Sequence, residues 1–316
     1  MTLDAALKLE LSEILGRNVI FDEPMSRHTS FQVGGPAEAF WAAERLEDLP
    51  GVLSWARQRQ IPYFIMGGGT NLLVKDTGIK GIVITLAKGL TKISCTEKKT
   101  DQVRVTAMAG AKMQSLCVFA IRNGLEGMNF ALGIPGTVGG GIAMNAGTDG
   151  GSIENVLDAV RIMLPPGTTH KVPKEEFDFS YRKFSLKGHP ARVINGSFII
   201  LEGDFCLRPS SPDHLQKDSR EKLKARKTRQ PTHLPSAGCF FQNPATGEKA
   251  GRLIDMAGLK GKKIGNAAIS TKHANFIVNT GGASAADILS LMKIVQDTVW
   301  ENFKIELKPE VKIIGT

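Results

Sequence analysis

Leu3, Leu7, Leu11, Ile14 and Leu15 recur at helical spacing ahead of Gly16, which predicts an N-terminal helix that docks on the body and carries no chemistry. Residues 37–42 read as a strand, Leu46, Leu49, Leu53 and Ala56 mark one helix face, and 61–66 and 81–86 are compact apolar strands. Strand, helix, strand, strand predicts a βαβ unit in a partly parallel sheet. A second segment opens near residue 88. Val103, Val105 and Ala107 alternate as a strand, and Met113–Arg122 is a helix stopped by Asn123-Gly124. Strands resume at 156–164, before a Pro166-Gly167 turn, and at 193–201. Residues 209–235 mark a boundary, with Pro209, Pro212, Pro231 and Pro235 around a charged helix. Beyond it the pattern predicts a helix at 249–257, a strand at 274–279 and a long amphipathic helix. That last helix opens at Ser284 with Asp287 as capping partner and buries Ile288, Leu291, Ile294, Val295 and Val299. Helices and strands interleave without strict alternation, so the expected class is α+β rather than a doubly wound sheet.

At 316 residues the chain has length for about two domains. Forty Lys and Arg against 31 Asp and Glu give a net charge of +9, which favours phosphate-bearing partners without separating nucleic acid from a phosphorylated small molecule. Four scattered cysteines with no C-x-x-C pair argue against a zinc site or a disulfide framework and suit a reducing compartment. Asp4, Lys8, Glu10 and Glu13 interrupt any signal-peptide core, and no apolar run approaches the roughly 20 residues a bilayer requires. A cytoplasmic protein without a membrane partner is expected.

Two glycine segments stand out. Gly67-Gly68-Gly69-Thr70-Asn71 follows an apolar strand, and residues 133–147 hold six glycines in fifteen positions. Glycine permits positive φ and lets backbone amides approach a phosphate with no Cβ between. Neither segment is a G-x-G-x-x-G or a P-loop, and either alone reads equally well as a tight structural turn. Together they suggest a large planar, phosphate-bearing ligand lying on backbone. Residues 217–229 carry seven Lys/Arg with no aromatic residue to stack a base, which favours a solvated helix face over nucleic-acid binding. Cys95, Cys117 and Cys206 sit in strand or helix patterns and read as small buried hydrophobes. Cys239, in Ser236-Ala237-Gly238-Cys239-Phe240-Phe241-Gln242-Asn243-Pro244, sits in a glycine turn instead. A thiol of ordinary pKa, about 8.5, is mostly protonated at neutral pH and able to donate. Tyr181-Arg182, His273 and Glu310 each read, in isolation, as surface or structural residues. No metal-ligand cluster or Ser-His-Asp order is present.

Taken together, these segments resemble the UDP-N-acetylenolpyruvoylglucosamine reductase family, FAD enzymes that make UDP-N-acetylmuramate for peptidoglycan. The likeness runs from about Ser26 to Thr316. It rests on His28-Thr29-Ser30-Phe31 with Gly34-Gly35, the two glycine segments with Met144-Asn145-Ala146-Gly147, and Tyr181-Arg182. Ala237-Gly238-Cys239-Phe240-Phe241, Ser270-Thr271-Lys272-His273-Ala274 and Pro309-Glu310-Val311-Lys312-Ile313-Ile314-Gly315 complete it. The resemblance implies a vanillyl-alcohol-oxidase/PCMH-type FAD-binding fold of α+β class. Its parts would be an N-terminal helix and first FAD subdomain (1–87), a second FAD subdomain (88–208), a substrate domain (209–308) and a C-terminal strand (309–316) returning to the active site.

Non-covalent FAD would lie along Gly67, Gly68, Gly69, Thr70, Asn71, Gly133, Ile134, Pro135, Gly136, Gly139, Gly140, Asn145, Ala146 and Gly147, with NADPH as co-substrate. Hydride would add to the vinyl carbon of the enolpyruvyl group. Arg182 and Glu310 would stabilise the enolate-like charge, and Cys239 would protonate the carbon. Tyr181, Arg229, Asn243 and His273 would contact the UDP-sugar substrate. A monomer that binds no nucleic acid is expected. Many relatives have serine where Cys239 stands. Thr148-Asp149-Gly150 replaces their Ala-Tyr-Gly, and Tyr63 and Tyr181 are the only tyrosines, which implies the branch without a tyrosine lid. Two other readings are a flavin oxidase of the same fold and a basic nucleic-acid-binding module. The oxidase would need a flavin-linking His or Cys in the glycine loops, and none occurs between Gly133 and Gly147.

Overall fold

A computed structural model describes residues 3–148, 150–187, 198–245 and 247–316. By packing the chain divides into two compact units. One comprises Met1–Phe21, Glu38–Gly68 and Lys80–Lys224, the other Asp22–Ala37, Gly69–Ile79 and Ala225–Thr316.

In the first unit the N-terminal helix Ala5–Leu15 starts where the Asp4 side chain accepts the Leu7 amide at 2.9 Å, and it ends at Gly16, φ +61°. Leu11 is fully buried. The helix docks on the helix Leu49–Gln58 and its C-cap: Trp55 Nε1 donates to Glu10 at 2.9 Å, and Arg59 donates to Glu10 through Nε and Nη2 at 3.0 Å each. Hydrogen bonds from Trp55 and then Arg59 hold the Glu10 carboxyl below its ordinary pKa. The expected partly parallel sheet is present. Tyr63–Met66 runs parallel to Ile79–Thr85, in a four-stranded sheet ordered Val19–Pro24, Pro36–Ala42, Ile79–Thr85, Tyr63–Met66.

A larger sheet runs Thr168–Pro173, Leu157–Leu164, Ile199–Pro209, Val103–Met108, Ile93–Lys98, with each neighbouring pair antiparallel. The strand expected at 193–201 falls partly outside the described residues, and its described part opens the long strand Ile199–Pro209. The helix Met113–Arg122 forms where its periodicity places it. Val105, Leu116 and Phe205 are wholly buried in the common core of this unit.

The second glycine segment is more than a loop. Its middle forms the helix Val138–Ala143, capped by Thr137. Gly139 accounts for its own presence: its amide donates to Ala109 O at 2.8 Å, and a Cβ there would stand 2.8 Å from that of Ala109. Close helix packing is therefore one reason for glycine in this run.

The second unit is built on the long helix Ala285–Phe303. The predicted capping box between Ser284 and Asp287 is present, and Asp76 accepts the next exposed amides, Ala285 at 2.8 Å and Ala286 at 2.9 Å. Ile288, Leu291, Val295 and Val299 form the buried stripe; Ile294, placed in it by periodicity, is only partly buried. A three-stranded antiparallel sheet (Lys263–Ile264, Ala267–Ile269, Ile277–Asn279) and the helix Ala250–Met256 complete the layer. Leu72–Val74, just after the first glycine segment, pairs in parallel with Lys312–Ile314 near the C-terminus.

Candidate active site

In the first unit the structure brings Gly67 onto the second glycine segment, and that segment onto the Tyr181-Arg182 turn. A Cβ on Gly67 would lie 2.1 Å from Thr137 Oγ1, and Thr137 Oγ1 in turn accepts the Gly140 amide at 3.4 Å. The strand-end backbone thus packs directly on the Thr137 side chain that caps the Val138–Ala143 helix. Glycine backbone beside a hydroxyl fits the close approach that the pyrophosphate of FAD needs. Asn145 is 7% exposed and holds φ +40°. Its Oδ1 accepts the Glu154 amide at 3.1 Å, while its Nδ2 donates to Glu154 Oε2 at 3.3 Å and to Ser180 O at 3.5 Å.

Ser180 opposes Lys183 in the hairpin of Phe177–Ser180 with Lys183–Leu186, so Tyr181 and Arg182 form a two-residue turn. Phe177, Phe179 and Phe184 pack edge to face or tilted at 5.1–5.9 Å and anchor that hairpin. Arg182 sits at φ +58°, donates from Nη1 to Gly147 O at 3.4 Å, and lies 5.0 Å over the exposed Tyr181 ring. Non-glycine residues at positive φ cost of order 1–3 kcal/mol and cluster at functional sites. Asn145 and Arg182 are two such residues, linked through Ser180 and Gly147.

In the second unit the remaining candidates gather around one backbone clamp. Phe240 O accepts the Glu310 amide at 2.8 Å, Gln242 N donates to Lys308 O at 2.9 Å, and Phe241 bridges Pro309. Asn71 joins from the first glycine segment: its Nδ2 donates to Glu310 O at 3.3 Å, and its carbonyl accepts the Lys312 amide at 3.0 Å. Gly69 O accepts the Ser30 amide at 3.0 Å. Asn71, Glu310 and Phe240, the residue after Cys239, thus meet from three distant stretches of sequence, and the Cys239 and Glu310 side chains are half-buried.

The substrate candidates are spread more widely. Arg229 and Asn243 are exposed, and Asn243 Oδ1 accepts the Ala250 amide at 3.1 Å, a structural task at a helix start. His273 packs edge to face on Phe276 at 4.9 Å, and its Nδ1 accepts the Asn275 amide at 3.3 Å. Burial lowers the His273 pKa, so the ring stays neutral at neutral pH.

Three residues near this clamp escape sequence reasoning. Arg226 lies in the run read as a solvated helix face, yet its guanidinium is half-buried. Burial lowers its pKa, while the nearby Cys239 acts in the opposite direction. Asn275 is discussed below. Lys312 alternates with Val311 and Ile313, which pack into or against the apolar core. Burial brings the Lys312 ammonium down to about 8. Cysteine burial also differs from expectation: Cys117 is buried, its thiol pushed up to about 12 by desolvation, whereas Cys95 and Cys206 are half-buried.

The Lys312 shift sets a pH window. Its native pKa lies below its unfolded value of 10.5, so between pH 8 and 10.5 the unfolded chain binds more protons and stability rises with pH. Below that window the buried charge costs at most about 3 kcal/mol. In the apoprotein, Lys312→Met should therefore be more stable than the parent at pH 7, with the difference shrinking as pH climbs through the window. Urea melts at several pH values test this; a difference that does not vary with pH would mean a solvated ammonium.

Comparison with known proteins gives the chain's family. A family model described as FAD binding domain matches residues 37–173. Another, described as UDP-N-acetylenolpyruvoylglucosamine reductase, C-terminal domain, matches residues 230–314. The UDP-N-acetylenolpyruvoylglucosamine reductase of Desulfosudis oleivorans is 41% identical over 313 residues, 99% of this chain and 100% of that one. The chain belongs to the UDP-N-acetylenolpyruvoylglucosamine reductase family. The reductase of Clostridium botulinum is 40% identical over 308 residues, covering 97% and 96% of the two chains. The crystal structure of the Thermus caldophilus reductase superposes with a TM-score of 0.77 at 34% identity, over 94% of this chain and 98% of that one. The protein is thus an FAD-dependent oxidoreductase, and the expected PCMH-type FAD fold of α+β class holds. Among the described residues no helix is long and apolar enough to cross a membrane, and no three metal-ligating side chains cluster.

Proposed function

We propose that this reductase converts the enolpyruvyl group of UDP-N-acetyl-3-O-(1-carboxyvinyl)-glucosamine to the lactyl group of UDP-N-acetylmuramate, a step of peptidoglycan precursor synthesis, using NADPH. The observation that carries this reading is the clamp in the second unit, which bonds Phe240, the residue after the half-buried Cys239, to the backbone of Glu310, which Asn71 also holds. In this reading residues 1–87 and 88–208 hold FAD, residues 209–308 the sugar nucleotide, and residues 309–316 carry Glu310 to the reacting group. When bound, FAD supplies the hydride that adds to the vinyl carbon.

The chain's own residues do the rest. Gly67 to Asn71 and the Gly133 to Gly147 segment receive the cofactor on backbone. Arg182 presents a planar, permanently charged fork to the substrate carboxylate, where negative charge grows as the hydride arrives. Glu310, as the protonated acid, donates a hydrogen bond to a substrate carboxylate oxygen on which that charge grows. Cys239 delivers a proton to the carbon bearing the carboxylate, leaving a thiolate that takes its proton back from solvent. Arg226, close to Cys239, favours that transient anion. Arg229, Asn243, Tyr181 and His273 are the proposed sugar-nucleotide contacts, and Asn243 would have to serve the ligand and the Ala250 amide together.

The test is direct. Purified protein should carry a flavin spectrum and oxidise NADPH only when the enolpyruvyl sugar nucleotide is present. NADPH oxidation that needs oxygen and ignores the sugar nucleotide would mark an oxidase instead.

A further inference from the structure

We propose that Asn275 is the positioning residue that aims Cys239 at the substrate, an inference that rests on reading Cys239 as the proton donor. Gly238, before the donor, holds φ +80°, and nothing lies within 4 Å of where its Cβ would be. The two residues after the donor are fixed by main-chain hydrogen bonds. Phe240 and Phe241 are at most 1% exposed, and their main-chain groups are all engaged.

Asn275 engages three of those four main-chain groups. Its carbonyl accepts the Phe240 amide at 2.8 Å, its Oδ1 accepts the Phe241 amide at 2.9 Å, and its Nδ2 donates to Phe241 O at 2.8 Å. The fourth group, Phe240 O, accepts the Glu310 amide at 2.8 Å. A primary amide carries both a donor and an acceptor at this reach, so it can stand in for a neighbouring β-strand on the edge of Phe241 opposite the Pro309 bridge. Aspartate would keep the acceptor and lose the donor; alanine would lose both.

Asn275 is itself fixed. It is 3% exposed, and its own amide donates to Nδ1 of His273 at 3.3 Å, which requires that nitrogen to be unprotonated. Ser270 Oγ receives the Lys272 and His273 amides at 3.1 and 3.4 Å and shapes the same turn. His273 is thereby tied to the donor through Asn275, a route that differs from direct contact with the sugar nucleotide.

Anaerobic stopped-flow on the FAD-loaded holoenzyme separates aiming from folding. In Asn275→Asp and Asn275→Ala, NADPH should bleach the flavin at the parental rate. Reoxidation by the enolpyruvyl nucleotide should slow about 100-fold, the scale set by a misplacement near 1 Å. In a Cys239→Ala background the same substitutions should cost nothing further, because the group they aim is gone. Equal slowing of both half-reactions, an undiminished loss in the Cys239→Ala background, or loss of bound flavin in both variants would each overturn the proposal and make Asn275 a fold-holding residue only. If Cys239→Ala alone reoxidised at the parental rate, the donor assignment would fail first and the proposal with it.

Discussion

Replacing Cys239 with alanine should lower turnover by about 10²–10⁴-fold, the usual worth of a general acid. The loss should fall on one half of the reaction. NADPH would still bleach the flavin at its normal rate, since hydride arrival from the nucleotide requires no proton from residue 239. Reoxidation by the enolpyruvyl substrate would stall, because the carbon next to the carboxylate would lack a donor. Cys239→Ser should retain much of the activity, as a hydroxyl donates from almost the same place. The pair of variants separates the thiol's proton from its bulk. An alanine variant that turns over normally would remove Cys239 from the chemistry.

Replacing Arg182 with lysine should cost about 10²–10³-fold in kcat, the range seen when one donor aimed at developing charge is lost. Charge is conserved in this change, so the loss would come from geometry. Lysine has one rotating ammonium where arginine offers a planar fork. The position is already specialised: Arg182 sits at φ +58° in a two-residue turn, with Nη1 donating to Gly147 O at 3.4 Å. Because the group acts on charge that grows during reaction, kcat should fall more than KM rises, and flavin content should be unchanged. Normal turnover in Arg182→Lys would reduce Arg182 to a turn residue stacked on Tyr181.

Much of the fold was legible because its signals are local. The helix Met113–Arg122 carries its own periodicity and its own stop at Asn123-Gly124, and Ser284 with Asp287 announces the start of Ala285–Phe303. What escaped was set by tertiary packing. The sequence Val-Gly-Gly-Gly-Ile-Ala is a poor helix former, yet residues 138–143 form a helix because Gly139 fits flush against Ala109. Thr168–Pro173 has only Val172 buried, so no alternation marks it as a strand. The parallel pairing of Leu72–Val74 with Lys312–Ile314 joins segments far apart in sequence and has no local signature.

The candidate site divides the same way. Glycine segments, Cys239, Arg182 and Glu310 could be singled out by motif, and the family resemblance gave them roles. Arg226 looked like one more cation on a charged helix until its burial beside Cys239 was visible. Asn275 lies in a stretch with no unusual composition, and its significance comes from the Phe240 amide and the two groups of Phe241 it satisfies.

The most direct measurement is a single anaerobic double-mixing run on the wild-type holoenzyme. NADPH should first bleach the flavin band, and the enolpyruvyl sugar nucleotide should then restore it within one turnover time, whereas UDP-N-acetylglucosamine, which lacks the vinyl carbon, should leave it bleached. A band that stays bleached with the enolpyruvyl nucleotide and returns only on admitting oxygen would contradict the proposed reaction.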